Sequence, residues 1–120
     1  RRAVHLGDTG AGMTAKVLNN YVAGASVVAV RRVLAAAAAL QLDRSQLLNE
    51  VMQHSSGNTW YGSNFDDIAW SRDGYSPDNT MGIVEKDVRC AIETMNDAGL
   101  GPGELDSAVV AALKQLMPYT

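Results

Sequence analysis

A lysine and two asparagines fall within little more than one helical turn in GDTGAGMTAKVLNN, residues 7–20. Lys16 and Asn20 are four apart and would share a helix face, with Asn19 beside them. An ammonium and two carboxamides gathered in this way suit a small carboxylate or carbonyl compound. The amides orient it by hydrogen bonds, and the lysine moves a proton on it. Gly7, Gly10 and Gly12 let backbone approach such a ligand, and free amide N–H groups at a helix start favour an anion. A lone helical lysine is ordinarily solvated. Here Met13, Val17, Leu18 and Tyr21 imply that the stretch packs on something. Asn19–Asn20 is poor helix-forming material and calls for a partner.

The glycines do not spell a dinucleotide fingerprint. That motif runs G-x-G-x-x-G between a strand and a helix inside a βαβ unit, with an acid about 20 residues on. The order here is G-x-x-G-x-G, and a helical stretch follows. Other reactive groups are scattered. His5 and His54 are isolated, and no His/Cys/Asp/Glu cluster has metal-ligand spacing, so no metal site is expected. Cys90 has no adjacent histidine and reads as a packed thiol rather than a nucleophile. Lys86–Asp87 lies off the apolar face of its helix, where a solvated charge pair is the plain reading. Ser55-Ser56-Gly57 reads equally as a turn or as a carboxylate-binding nest.

These residues must be positioned by helices. A first helix is expected from about Ala11 to Leu40, roughly 45 Å at 1.5 Å per residue. From Val22 onward it is apolar nearly all round, the pattern of a helix surrounded by protein. A domain this small can hardly cover such a rod, so a second copy or a further domain is expected to. Residues 21–40 are apolar enough to raise the membrane question, but Arg31 and Arg32 in the middle would each cost roughly 2.5–3.5 kcal/mol on insertion scales. The expectation is a buried soluble helix. Asp43 is a good N-cap, with Gln46 three residues on as in a capping box. It opens a short helix with Leu47, Leu48, Val51 and Met52 on one face. Residues 57–80 read as irregular, with one short helix around Asn64 to Trp70. A strong helix over about Thr80 to Ala98 follows, with Met81, Val84, Val88, Ala91, Ile92 and Met95 at helical spacing and Gly99 as C′. After GLGPGE comes a last helix with Leu105, Val109, Ala112, Leu113 and Leu116 inward, stopped by Pro118. Nothing argues for a sheet, so the fold class is all-α.

One hundred and twenty residues make one domain. A net charge of −3 gives a nucleic-acid partner no electrostatic support. One cysteine excludes an internal disulfide and fits a reducing, cytoplasmic setting. The start at Arg1, with a strand-like RRAVHL leading into the glycine turn, reads as a cut from a longer protein.

Residues 7–20 resemble the second-domain signature of the β-hydroxyacid dehydrogenases, which include 3-hydroxyisobutyrate and 6-phosphogluconate dehydrogenases. That signature is a G-x-x-G-x-G turn followed by K-x-x-N-N. LLNEVMQHSSGNTW is similar to the family's LN-x-x-SSG-x-x-W region, and IVEKDVRCAIETMNDAG to its L-x-x-KD helix. The resemblance covers nearly the whole chain. It implies the C-terminal helical domain of an NAD- or NADP-dependent dehydrogenase, of the 6-phosphogluconate dehydrogenase type, built on one long central helix and dimerising through it. Residues 1–10 would be the interdomain strand and glycine turn, and the N-terminal Rossmann domain, which binds most of the cofactor, would lie outside the chain. A small hydroxyacid or semialdehyde would be the substrate. The resemblance makes Lys16 the catalytic lysine, Asn20 the substrate-orienting amide with Asn19 in support, and Gly12 the residue that leaves room for substrate. It brings Lys86 to the cofactor near its nicotinamide end, with Asp87 holding the local geometry. The 120 residues alone are expected to be inactive. Retention of Lys16 argues against the imine-reducing relatives, which usually replace it. The alternatives are a non-catalytic helical dimerisation or binding module, and an imine or ketone reductase relative. Asn79 stands where the family often has an aromatic, and Tyr61 to Asp78 is idiosyncratic, which leaves the substrate open.

Overall fold

The computed structural model describes residues 9–71 and 80–116. Expectations that fall on RRAVHL, Gly7, His5, Asn79 and Pro118 lie outside the described residues. The chain is all-α, with no extended strand among the described residues. Its axis is α1, Thr9–Ala39. The helix begins two residues earlier than expected, so Gly10 and Gly12 belong to its first turns rather than to a loop. It ends with Gln41 in the left-handed region (φ 60°), where the Leu42 N–H donates back to the Ala37 carbonyl at 2.8 Å.

Asp43 caps the next element as its residue type demands, accepting from the Gln46 N–H at 3.0 Å. The element opens as α2, Arg44–Gln46, widens into a π-helical stretch, Leu47–Val51, and tightens into a 3₁₀ turn, Met52–His54. The widening corrects the expected face. Leu48 is buried and Leu47 and Met52 are half-buried, as expected, but Val51 is 57% exposed. An i→i+5 bond from Met52 N–H to Leu47 C=O adds a residue to the turn and carries Val51 off the inward side. The short helix expected around Asn64 to Trp70 is also displaced. Instead, α3 spans Trp60–Ser63 and a 3₁₀ turn spans Phe65–Asp67.

The helix expected over Thr80 to Ala98 is α4, Thr80–Asp97. Its buried residues Met81, Val84, Val88 and Ala91 recur at helical spacing, with Ile92 and Met95 half-buried. Gly99 at φ 84° closes it as C′, with Gly99 N–H bonded to Asn96 and Leu100 N–H to Met95, both at 3.0 Å. Helix α5, Glu104–Gln115, buries Val109 and Leu113. Leu105, expected inward, is 59% exposed, because Asp106 holds the inward position of that first turn.

Helices α3, α4 and α5 all pack on α1. The core gathers Val27, Val30 and Leu34 of α1 with Leu48, Phe65, Trp70, Met81, Val84, Val88, Val109 and Leu113. Gly24 is buried where α1 meets Val84 and Val88 of α4. By length and composition α1 could cross a membrane. Here Gly24, Val27, Val30, Leu34 and Ala37 form one buried stripe against the other helices. The opposite side exposes Leu18, Val22, Val33 and Leu40, so α1 is covered on one side rather than all round.

Candidate functional site

The buried stripe of α1 advances in steps of three and four: Gly24, Val27, Val30, Leu34, Ala37. Continued toward the N-terminus in steps of four, it passes through Asn20, Lys16 and Gly12. These three candidate residues therefore occupy the packing face of α1 at its N-terminal end, where burial against the other described residues thins out. Lys16 and Asn19 are exposed, Asn20 and Gly12 are half-buried, and a Cβ added at Gly12 would meet nothing within 4 Å. The burial expected for this stretch is only partly present. Val17 and Tyr21 are half-buried, whereas Met13 is 64% exposed and Leu18 is exposed too.

Beside this end lies a groove of about 320 Å³, walled by Asn19, Ala23 and Ser26 of α1 and by Asn58, Trp60 and Tyr61. The second wall is rigid for local reasons. Thr59 caps α3 by accepting from the Gly62 N–H at 2.9 Å. The Ser63 hydroxyl donates to Asn58 Oδ1 at 2.7 Å, and Asn64 Nδ2 donates to the Trp60 carbonyl at 2.8 Å. Gly62 is buried, which lets α3 sit close to Val30 of α1. Trp60 meets Tyr61 edge to face, with centroids 5.1 Å apart. Tyr61 in turn leans on Trp70, whose indole N–H donates to the Phe65 carbonyl at 3.0 Å. The Arg31 guanidinium lies 5.7 Å from the centre of the Trp70 ring, a cation–π contact that accounts for a charge in the middle of α1.

Of the α4 candidates, Asp87 is half-buried, and its charge reaches Tyr61. Burial first, and that charge second, push the Tyr61 phenol up. Lys86 is exposed on the outer side of α4. There it lines a separate groove of about 440 Å³ with Glu85, Arg89 and Cys90. The fold thus brings Asn19 to the Asn58–Tyr61 wall and Asp87 near Tyr61, but does not place Lys86 in that groove. Cys90 is corrected: it is exposed, not packed, since it sits two residues after Val88 and away from the buried face. Ser55-Ser56-Gly57 forms an exposed turn, with Asn58 N–H bonded to the Ser55 carbonyl at 3.2 Å. His54 is exposed, and no group of metal-ligating side chains occurs among the described residues.

Sequence reasoning missed Asp106. It is 8% exposed and accepts from the Tyr21 hydroxyl at 2.6 Å and from the Gly103 N–H at 3.0 Å. The signal available was an aspartate three residues after Gly103, the spacing of a helix-capping box.

Residues 10–117 match the family model described as NAD-binding of NADP-dependent 3-hydroxyisobutyrate dehydrogenase. No curated protein and no solved structure matches the chain.

Proposed function

Because the chain belongs to the family that it matches over residues 10–117, we propose that it is the helical, substrate-holding part of an oxidoreductase acting on small β-hydroxyacids or the corresponding semialdehydes. The enzyme kind is an NAD(P)-dependent dehydrogenase, and its cofactor is NAD(P). The observation that carries the reading is the polar end of the α1 packing stripe. Gly12, Lys16 and Asn20 hold the positions that apolar residues hold farther along. A packing face that turns polar where its helix stands clear is prepared to meet a polar ligand and a second surface, not a core.

The donor set fits the reacting end of a dinucleotide site. It offers an open approach at Gly12, an amino group at Lys16 and carboxamides at Asn19 and Asn20. When bound, the nicotinamide takes or gives the hydride. In the oxidising direction the hydroxyl yields its proton to the Lys16 amino group as the C–H bond is broken, and the C–O bond becomes a carbonyl. Asn20 holds the reacting oxygen or the neighbouring carboxylate, and Asn19 supports it from the groove side. Gly12 leaves room for the substrate, and Lys86 with Asp87 serves the cofactor side. A Rossmann domain N-terminal to α1 completes the site and excludes water from Lys16. Residues 1–120 alone are inactive for want of it.

A second copy of the chain covers the exposed stripe Leu18, Val22, Val33 and Leu40, which recurs along one side of α1. The protein works in the cytoplasm as a soluble homodimer without nucleic acid or membrane. The deciding experiment assays the full-length protein with small β-hydroxyacids and semialdehydes, using both NAD and NADP. Turnover with one substrate class supports the reading. Absence of turnover across the set, in a folded protein that binds NAD(P), rejects it in favour of a non-catalytic module.

A further inference from the structure

Tyr21 stands where α1 leaves the body of the fold. Beyond it toward the N-terminus, Lys16, Leu18 and Asn19 are exposed, while its own hydroxyl donates to Asp106 Oδ1 of α5 at 2.6 Å. That length is in the range of a charge-assisted O–H···O⁻ bond. Asp106 is buried and its second oxygen accepts from the Gly103 N–H, so the carboxylate is held from two directions. The bond joins positions 85 apart in sequence. Three residues farther on, the α1–α4 contact is made at Gly24, between half-buried Ala23 and Ala25. A glycine flanked by alanines gives close approach but no side-chain knob at this end of the helix; the knobs that set its rotation, Val27, Val30 and Leu34, lie farther along.

We infer that the Tyr21–Asp106 pair is a positioning clamp. It fixes the rotational setting of the free end of α1 and so aims Lys16 and Asn20. The inference rests on the proposed roles of those two residues. Side-chain tips lie about 5–6 Å from a helix axis, so a turn of only about 20° moves them roughly 2 Å. Displacements near 1 Å are already enough to cost on the order of 100-fold in rate. A buried carboxylate fits this role, because directional bonds to a buried charge fix an arrangement that apolar packing would leave free to turn.

The test is Tyr21→Phe, which keeps the ring and removes the bond, in the full-length protein. Two readouts are taken: amide hydrogen exchange along α1, and steady-state kinetics. Exchange is expected to quicken at residues 13–20 and to stay unchanged at residues 27–37. kcat should fall roughly ten-fold or more, as misplacement of an acid–base group predicts, with KM for the dinucleotide unchanged. Unchanged kcat overturns the clamp, as does exchange that is unaltered or rises evenly along the helix. A wild-type protein without turnover is a failure of the functional reading instead. Exchange alone then decides the clamp: a local rise upholds it and no local rise overturns it.

Discussion

Gly24 of α1 faces Val88 of α4 so closely that a Cβ on the glycine would overlap Val88 Cγ2, with Val84 Cγ1 3.6 Å away. Val88 is fully buried and stiff at χ1, so it has no free side-chain end to swing aside. Gly24→Ala gains up to about 1 kcal/mol in helix propensity. The overlap costs more, since overpacked cores typically lose about 1–3 kcal/mol and sometimes exceed that. Net destabilisation is expected, read as a lower urea midpoint. The double variant Gly24→Ala, Val88→Ala should recover part of it. Additive losses in the double variant would show that the helices do not meet at these residues.

Lys16 shares the core-facing stripe of α1 yet is exposed, so its replacement separates chemistry from stability. Lys16→Ala should leave the unfolding midpoint of the helical domain within about 0.5 kcal/mol of wild type, the usual range for a surface change. In the full-length enzyme it should lower kcat by on the order of 10²–10⁴, the contribution of a positioned acid or base. Near-normal turnover in the variant would remove Lys16 from the reaction.

The fold was legible where local chemistry acts alone. The 81/84/88/91 spacing of α4, Gly99 as its C′ residue and Asp43 as an N-cap follow from residue types and short intervals. The inward face of α1 was not legible, because apolar residues surround the helix and its setting is decided by partners distant in sequence. Val51 and Leu105 misled for separate reasons. A π-helical turn shifted the first, and Asp106, bonded to Tyr21, took the inward place beside the second. The site divides in the same way. Lys16, Asn19 and Asn20 announce themselves within five residues, whereas the meeting of Asn19 with Asn58, Trp60 and Tyr61 is a long-range packing result with no local signal. The exposure of Cys90 was readable from its offset to Val88.

The Tyr21–Asp106 bond also gives the fold an alkaline limit. Burial, then the hydrogen bond to Asp106, then that carboxylate's charge push the Tyr21 phenol from near 10 up to about 12. A folded-state value above the unfolded one means that the neutral phenol is the stabilising form. Its contribution is complete below about pH 10 and is lost as pH climbs toward about 12. The urea midpoint should therefore fall across that window in the wild type, and fall less in Tyr21→Phe. Tyr61 is also shifted upward, by burial and then by Asp87, so Tyr61→Phe is the proper control. Equal pH dependence in wild type and Tyr21→Phe would assign the alkaline loss to other groups.

Gly12 offers a test in which stability and function move in opposite directions. It lies within α1, and nothing stands within 4 Å of the place a Cβ would take. For folding alone, a helical glycine is a cost. Gly12→Ala should stabilise the helical domain by a few tenths to about 1 kcal/mol, the smaller figure applying near a helix end. If the open space on this face is where substrate sits, one turn before Lys16, the added methyl intrudes on the ligand. KM for the hydroxyacid should then rise several-fold, and the rise should be steeper for bulkier substrates, while KM for the dinucleotide is unchanged. Thermal unfolding and a KM series over hydroxyacids of graded size measure the two effects separately. A stabilised variant with unaltered KM for every substrate would place the ligand away from Gly12, toward the groove that Asn19 shares with Trp60 and Tyr61.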